Sequence, residues 1–173
     1  AVRAAVADVL AAHGRLDGLV VTAAPAANTL DPETRNDPEA VLDAIDGKAM
    51  TFLRVVNAVL PHLRARGYGR VVGISGQNAW VTGDVRASVR NAALILAAET
   101  LADSAAGSGV TVNVINPGTV SDDPASEVAP GRPGESSPTQ IADLIAFLVS
   151  PLAGAISGES IAVGHRLRGV VRL

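Results

Sequence analysis

The sequence predicts a three-layer α/β domain, a parallel sheet with helices on its faces, and two observations carry that expectation. Short apolar runs at Leu19–Ala24, Arg70–Ile74, Val110–Ile115 and Glu159–Val163 read as strands, the first bounded by Gly18 and Pro25 as a strand covered on both faces would be. Longer stretches with apolar residues at helical spacing separate them. Strands that alternate with helices imply right-handed crossovers and a parallel sheet, with any ligand outside the carboxyl ends of the strands. Those ends are Ala24, Ser75, Asn116 and Gly164.

Each element has a local reason. Val2, Ala5, Val6, Val9 and Leu10 repeat at helical spacing and stop at His13-Gly14, where glycine can take the left-handed conformation that ends a helix. Residues 25–37, rich in Pro, Asn and Asp, form a loop. Asp37-Pro38 starts the next helix, because Asp accepts an orphan backbone N–H and Pro tolerates the first helical position. Its periodicity continues to about Arg66, with kinks expected at Gly47 and Pro61. Gly67-Tyr68-Gly69 closes it. After the strand at Arg70, a polar loop from Ser75 to Asp84 leads into a helix over 84–104, whose Ala87, Ala92, Ala93, Ala97 and Ala98 make a face small enough for close helix packing. Residues 119–137 hold five Pro or Gly residues and are longer than a simple connection needs, so they are expected to act as a lid. Ser137 and Gln140 form a capping box for a helix over 138–149.

Composition bounds the function. With 173 residues, 48% of them hydrophobic, and a formal charge of −3, residues 1–173 make one domain with a sizeable core and no affinity for nucleic acid. No run approaches the roughly 18–20 apolar residues of a membrane span, and no signal peptide is visible. Cysteine is absent, which makes the cytoplasm the expected compartment. Lys48 is the only lysine beside thirteen arginines. The acids Asp122, Asp123 and Glu127 lack a His or Cys companion, and no metal is expected.

Several motifs together resemble the short-chain dehydrogenase/reductase family. Gly14-Arg-Leu-Asp17-Gly-Leu-Val resembles the approach to the family's Asn-Asn-Ala-Gly strand end, read here as Val21-Thr22-Ala23-Ala24. Leu60-Pro61-His62 and Gly69-Arg-Val-Val-Gly-Ile-Ser75 resemble its long helix and the strand leading to the catalytic serine. Asn91-Ala-Ala-Leu94 fixes the register after the catalytic tyrosine, and Asn113 with Pro117-Gly118 matches the segment beside the nicotinamide. The resemblance covers Gly14 to Gly164 and implies a Rossmann-like sheet that transfers hydride between NAD(P) and an alcohol or ketone. The family's first strands and glycine-rich turn have no counterpart. An NAD(P) site is therefore expected only if the native chain is longer, by roughly 60 residues, and no cofactor is expected for these 173 residues alone.

The same register puts Ala87 where the family has its proton-donating tyrosine and Asn91 where it has lysine. Counted back from Pro61, Lys48 falls on the family's asparagine. Lys48 and Asn91 thus resemble the exchanged pair of polyketide ketoreductases. The serine position falls on Ser75 or Gly76. The resemblance implies catalytic roles for Lys48, Ser75 and Asn91, and cofactor contacts from Thr22, Ala23, Ala24, Pro117, Gly118 and Val120. Asp84, on the loop beside the pocket, is a candidate acid or base, and Gln77, Asn78 and Trp80 are candidate substrate contacts, Trp80 by stacking. Tyr68 lies at the opposite end of the sheet. His62, His13 and the terminal His165, Arg166 and Arg168 read as structural or solvated, the last three with an anion or a neighbouring subunit as the alternative.

Three functions follow as expectations: an NAD(P)-linked ketoreductase-type oxidoreductase with an altered proton route, acting on a small molecule; a non-catalytic scaffold or oligomerisation subunit; or a cofactor-independent cyclase or dehydratase using Asp84 or Lys48 as base. By the same resemblance, helices 38–66 and 84–104 are expected to build a homodimer or homotetramer.

Overall fold

The computed structural model describes residues 1–25, 31–81 and 83–169. In chain order the helices are α1 (Val2–His13), α2 (Pro38–Ile45), α3 (Thr51–Arg66), α4 (Val85–Ser104) and α5 (Pro138–Val149). The strands are β1 (Gly18–Val21), β2 (Gly69–Ile74), β3 (Val110–Pro117), β4 (Thr119–Val120), β5 (Glu135–Ser136) and β6 (Ser160–Val163). The main sheet is parallel throughout, in the order β1-β2-β3-β6, with Val20 opposite Val72, Val72 opposite Asn113 and Ile115 opposite Ile161.

The local signals at Gly14, Gly67, Asp37 and Ser137 act where the sequence places them, and Asp84 adds a cap not expected from the sequence. Gly14 (φ 73°) and Gly67 (φ 67°) end α1 and α3 in the left-handed region. Asp37 and Asp84 cap α2 and α4 through their carboxylates, and Ser137 with Gln140 completes the capping box of α5. The chain alternates sides of the sheet as successive side chains do. Val71, Val112 and Val114 face Phe52, Val56, Leu63 and Leu94 of α3 and α4, while Val72 and Ile115 face Leu148 of α5. Fully burying side chains of this size stabilises by about 1.5–3 kcal/mol each. Gly73 is required by the first layer: a Cβ there would lie 2.9 Å from Phe52 Cε2.

The first strand differs from expectation. The first strand ends at Val21, where its pairing with Gly73 ends, and Thr22–Ala24 lie exposed beyond it. β1 is an edge of this sheet, so Val20 is 39% exposed rather than covered on both faces. The break expected at Gly47 takes the form of one wide turn, Asp46–Met50, which joins α2 and α3 with the five-residue bonding of a π-helix, while Pro61 lies inside α3. The segment 119–137 is stitched at its base by β4 pairing with β5, and its outer part is bonded to the chain end through Gly131 N–H to Arg168 O and Arg168 N–H to Arg132 O.

Candidate active site

The wide turn aims Lys48 inward. Lys48 is buried at 5% exposure, and its Nζ donates to Ser75 O at 3.0 Å, just past the end of β2. Helical periodicity alone would not single out this position, because an inserted residue shifts the face that follows it. Ser75 in turn is fixed by α4: its hydroxyl donates to Asn91 O at 2.9 Å, with Asn91 Oδ1 at 3.4 Å. The Asn91 amide lies against Gly76, where a Cβ would sit 3.3 Å from Nδ2. Lys48, Ser75 and Asn91 are therefore brought together, with Ala87 buried one turn before Asn91 on the same helix.

Burial makes Lys48 chemically distinct. Loss of water, and secondly the positive charge of Arg90, lower its pKa from the usual 10.5 to about 8. An ammonium of that acidity can give up a proton near neutral pH, which an exposed lysine does poorly.

The other predicted residues take varied places. Asp84 is half-buried and its Oδ1 accepts the Ala87 N–H at 2.8 Å, so the carboxylate is engaged in capping α4. Gln77 is buried, and its amide donates to His165 O at 2.8 Å and Val163 O at 3.3 Å, tying the turn after β2 to the end of β6. Asn78 is exposed and lines a cavity of about 640 Å³ together with Thr119, Glu127, Arg132 and Glu135, under the 119–137 segment. Trp80 is half-buried against the core layer of α3 and α4. Thr22, Ala23 and Ala24 are exposed, Pro117 is buried, and Val120 is 52% exposed, all at the carboxyl ends of β1 and β3. Asn113 holds β6 in place, donating to Ile156 O at 2.8 Å and accepting from Glu159 N–H. Tyr68 lies at the far end of the sheet, its ring 4.4 Å from the Arg70 guanidinium. Arg168 donates to Val128 O, and His165 and Arg166 are exposed. Among the described residues no group of three or more His, Asp or Glu is placed to hold a metal ion, and no helix is long and apolar enough to cross a membrane.

Two residues escaped the sequence reading. Arg86 and Arg90, both buried, project from the first turns of α4. Arg86 donates to Thr34 Oγ1 and Asp31 O, each at 2.9 Å, and so holds the 31–35 segment on the helix. Arg90 donates to Pro25 O at 3.2 Å, and its pKa is lowered by burial first and by Arg86 second, with Asp84 opposing. A signal was present: Arg90 shares the helical stripe of Ala87, Leu94 and Ala98, so the periodicity that buries those residues buries it too.

A parallel sheet with helices on both faces and a buried Lys48-Ser75-Asn91 cluster past the carboxyl end of β2 defines a Rossmann-like scaffold. The chain belongs to the short-chain dehydrogenase/reductase family: residues 1–165 match the family described as enoyl-(acyl carrier protein) reductase. It is 32% identical over 171 residues to subunit BbsC of a hydroxy(phenyl)methylsuccinyl-CoA dehydrogenase from Thauera aromatica, covering 94% of this chain and 68% of that protein. It is 31% identical over 171 residues to the 3-oxoacyl-(acyl-carrier-protein) reductase FabG of Aggregatibacter actinomycetemcomitans, covering 90% of this chain and 68% of that protein. Among solved structures, a short-chain dehydrogenase from Mycobacterium paratuberculosis bound to NAD has the same fold, with a TM-score of 0.78 at 22% identity over 95% of this chain and 69% of that one. The chain thus spans a little over two thirds of the length of these relatives.

Proposed function

We propose that the protein is an NAD(P)-linked, ketoreductase-type oxidoreductase in which Lys48, instead of a tyrosine, supplies the proton to the substrate oxygen. The observation that carries this reading is the inward turn of the only lysine onto Ser75 at the carboxyl end of β2, with Ser75 bonded in turn to Asn91, one turn after the alanine that stands at the tyrosine position. Bound NAD(P)H supplies the hydride. The exposed Thr22–Ala24 and Val120, flanking Pro117-Gly118, suit the nicotinamide end of such a cofactor, because they line the same end of the sheet as Lys48. One Lys48 N–H is held by Ser75 O, which orients the ammonium and leaves two N–H groups for a carbonyl oxygen. Asn91 braces Ser75 and so braces that acceptor.

The reductase also acts as a homodimer or homotetramer through 38–66 and 84–104, in this reading. Exposed Val85, Val89 and Leu96 on α4, with Leu42 on α2, support it as an apolar surface in need of cover. The cofactor-independent reading has less support, since the Asp84 carboxylate already caps α4.

The test is consumption of NADPH or NADH by the full-length protein with a panel of ketones and 3-oxoacyl thioesters. Turnover is expected, and Lys48→Met should lower kcat by about 10²- to 10⁴-fold, the usual contribution of a positioned acid. Absence of oxidation with every substrate, with no binding of either cofactor, overturns the proposal in favour of a scaffold.

A further inference from the structure

Three buried cations, Lys48, Arg86 and Arg90, converge at the first turns of α4. The ion pairs among the described residues are Arg15–Asp17, Arg54–Asp46 and Arg66–Asp17, and none involves these three. Each buried cation instead donates to neutral acceptors: Ser75 O, Pro25 O, and Asp31 O with Thr34 Oγ1. Arg90 Nε and Arg86 Nε are buried with no hydrogen-bond partner. Removing a cation from water costs several kcal/mol unless a counter-charge and full hydrogen bonding compensate, and protein interiors seldom keep such groups without a use.

We infer that Arg90 and Lys48 form a subsite for a carboxylate carried by the substrate, at the carboxyl ends of β1 and β2 beside Ala87. The guanidinium fork explains the choice of ligand. Nη1 of Arg90 is held by Pro25 O, so the edge bearing the unpartnered Nε is the one that offers two parallel N–H groups to a planar, two-oxygen group. Lys48, whose charge and that of Arg90 repel one another, supplies a second cation. Ala87 precedes Arg90 by three positions on one helical stripe and puts a methyl where the family's aromatic side chain would stand. Pro25, whose carbonyl holds Arg90, is exposed and packs its ring so near Gly47 that a Cβ on that residue would lie 3.1 Å away, which ties the Arg90 anchor to the turn that carries Lys48. Arg86 is spent on the 31–35 segment, and Asp84, the acid whose field reaches Arg90, is spent on capping. Neither supplies the missing anion.

The subsite names a substrate class for the pocket assigned above, an oxo acid or an acyl compound with a free carboxylate, and rests on that reading only for the pocket's use. Binding is tested without turnover. Lysine labelled with ¹³C at its ε-carbon reports on Lys48, with Lys48→Arg confirming the resonance. The full-length protein is titrated with propionate, with its neutral isostere propionamide, and with chloride at equal ionic strength. Propionate should shift the Lys48 signal saturably and raise its apparent pKa by at least half a unit, while propionamide and chloride do neither. Arg90→Gln should weaken the response at least tenfold, and Arg3→Gln, an exposed control on α1, should leave it unchanged. An equal response to propionamide or chloride, or full propionate binding by Arg90→Gln, overturns the subsite. The acid-versus-amide comparison decides in the wild-type protein even where Arg90→Gln fails to fold. Propionate binding without any NAD(P)H oxidation would remove the reductase and leave the subsite; oxidation with uncharged ketones and no propionate response would do the reverse.

Discussion

The two halves of α4 bury the same stripe and fill it with opposite chemistry. Towards its C-terminus the stripe is Leu94, Ile95, Ala98 and Ala102, packed against β3 and α3. Over its first turns it is Arg86, Ala87, Arg90 and Asn91, with orphaned nitrogens and no carboxylate in ion-pair range among the described residues. Sheet geometry demands burial along the whole helix, but only the C-terminal half uses it for stability. The N-terminal half buries charge without a counter-charge, a cost offset only in part by the bonds of Arg86 to the 31–35 segment and of Asn91 to Ser75, and which a bound carboxylate, as proposed, would offset further.

That contrast can be broken by mutation. Leu94→Ala, in the apolar half, should cost about 2–5 kcal/mol of unfolding free energy by leaving a cavity against Gly73 and Phe52, read by denaturant titration. Lys48 should make stability depend on pH in the other direction from an ordinary ion pair. An unfolded lysine keeps its proton to about pH 10.5, whereas folded Lys48 loses it at about pH 8. Between those values the unfolded chain binds more protons, so stability rises with pH across the window and is lost again as pH falls to 8, by at most about 1.4 kcal/mol per unit. Chemical denaturation from pH 7 to 10.5 should show that rise in the wild type, and it should be missing in Lys48→Met.

Smaller effects sharpen the division of roles. Asp84→Ala should lose about 1 kcal/mol through its cap, with Asp84→Ser restoring most of it and both variants retaining turnover; a loss of activity in Asp84→Ser at normal stability would return Asp84 to the catalytic set. Arg90→Met should be the mildest in the fold, with a melting temperature in anion-free buffer equal to or above the wild type. A drop as large as that of Leu94→Ala would mean that Arg90 is structural after all.

Much of the scaffold was legible because its causes are local. Gly14, Gly67, Asp37 and the Ser137/Gln140 pair each set an element boundary through backbone geometry or a single hydrogen bond within four residues. Lys48, Ser75 and Asn91, expected from the resemblance as catalytic positions, are brought into hydrogen-bonded contact by the fold, and their roles rest on the proposal above. What was not legible depends on distance in sequence. A break at Gly47 was legible, but not that it is a wide turn that aims Lys48 inward, because the bonding that widens it is set by packing rather than by the local sequence. The engagement of Gln77 with the end of β6 spans 88 residues, and Arg90's with Pro25 spans 65. A charged residue on a buried stripe was the one visible trace, and arginine is so frequent in this chain that it did not stand out.

The most direct measurement of the central claim is the pH dependence of kcat/KM for ketone reduction by the full-length protein, compared with Lys48→Met. If Lys48 is the proton donor, the wild-type rate should be level below about pH 8 and fall roughly tenfold per unit above it, while the variant should be slower and show no break there. A wild-type rate that continues unchanged through pH 8, or a Lys48→Met variant as fast as the wild type, would contradict the account.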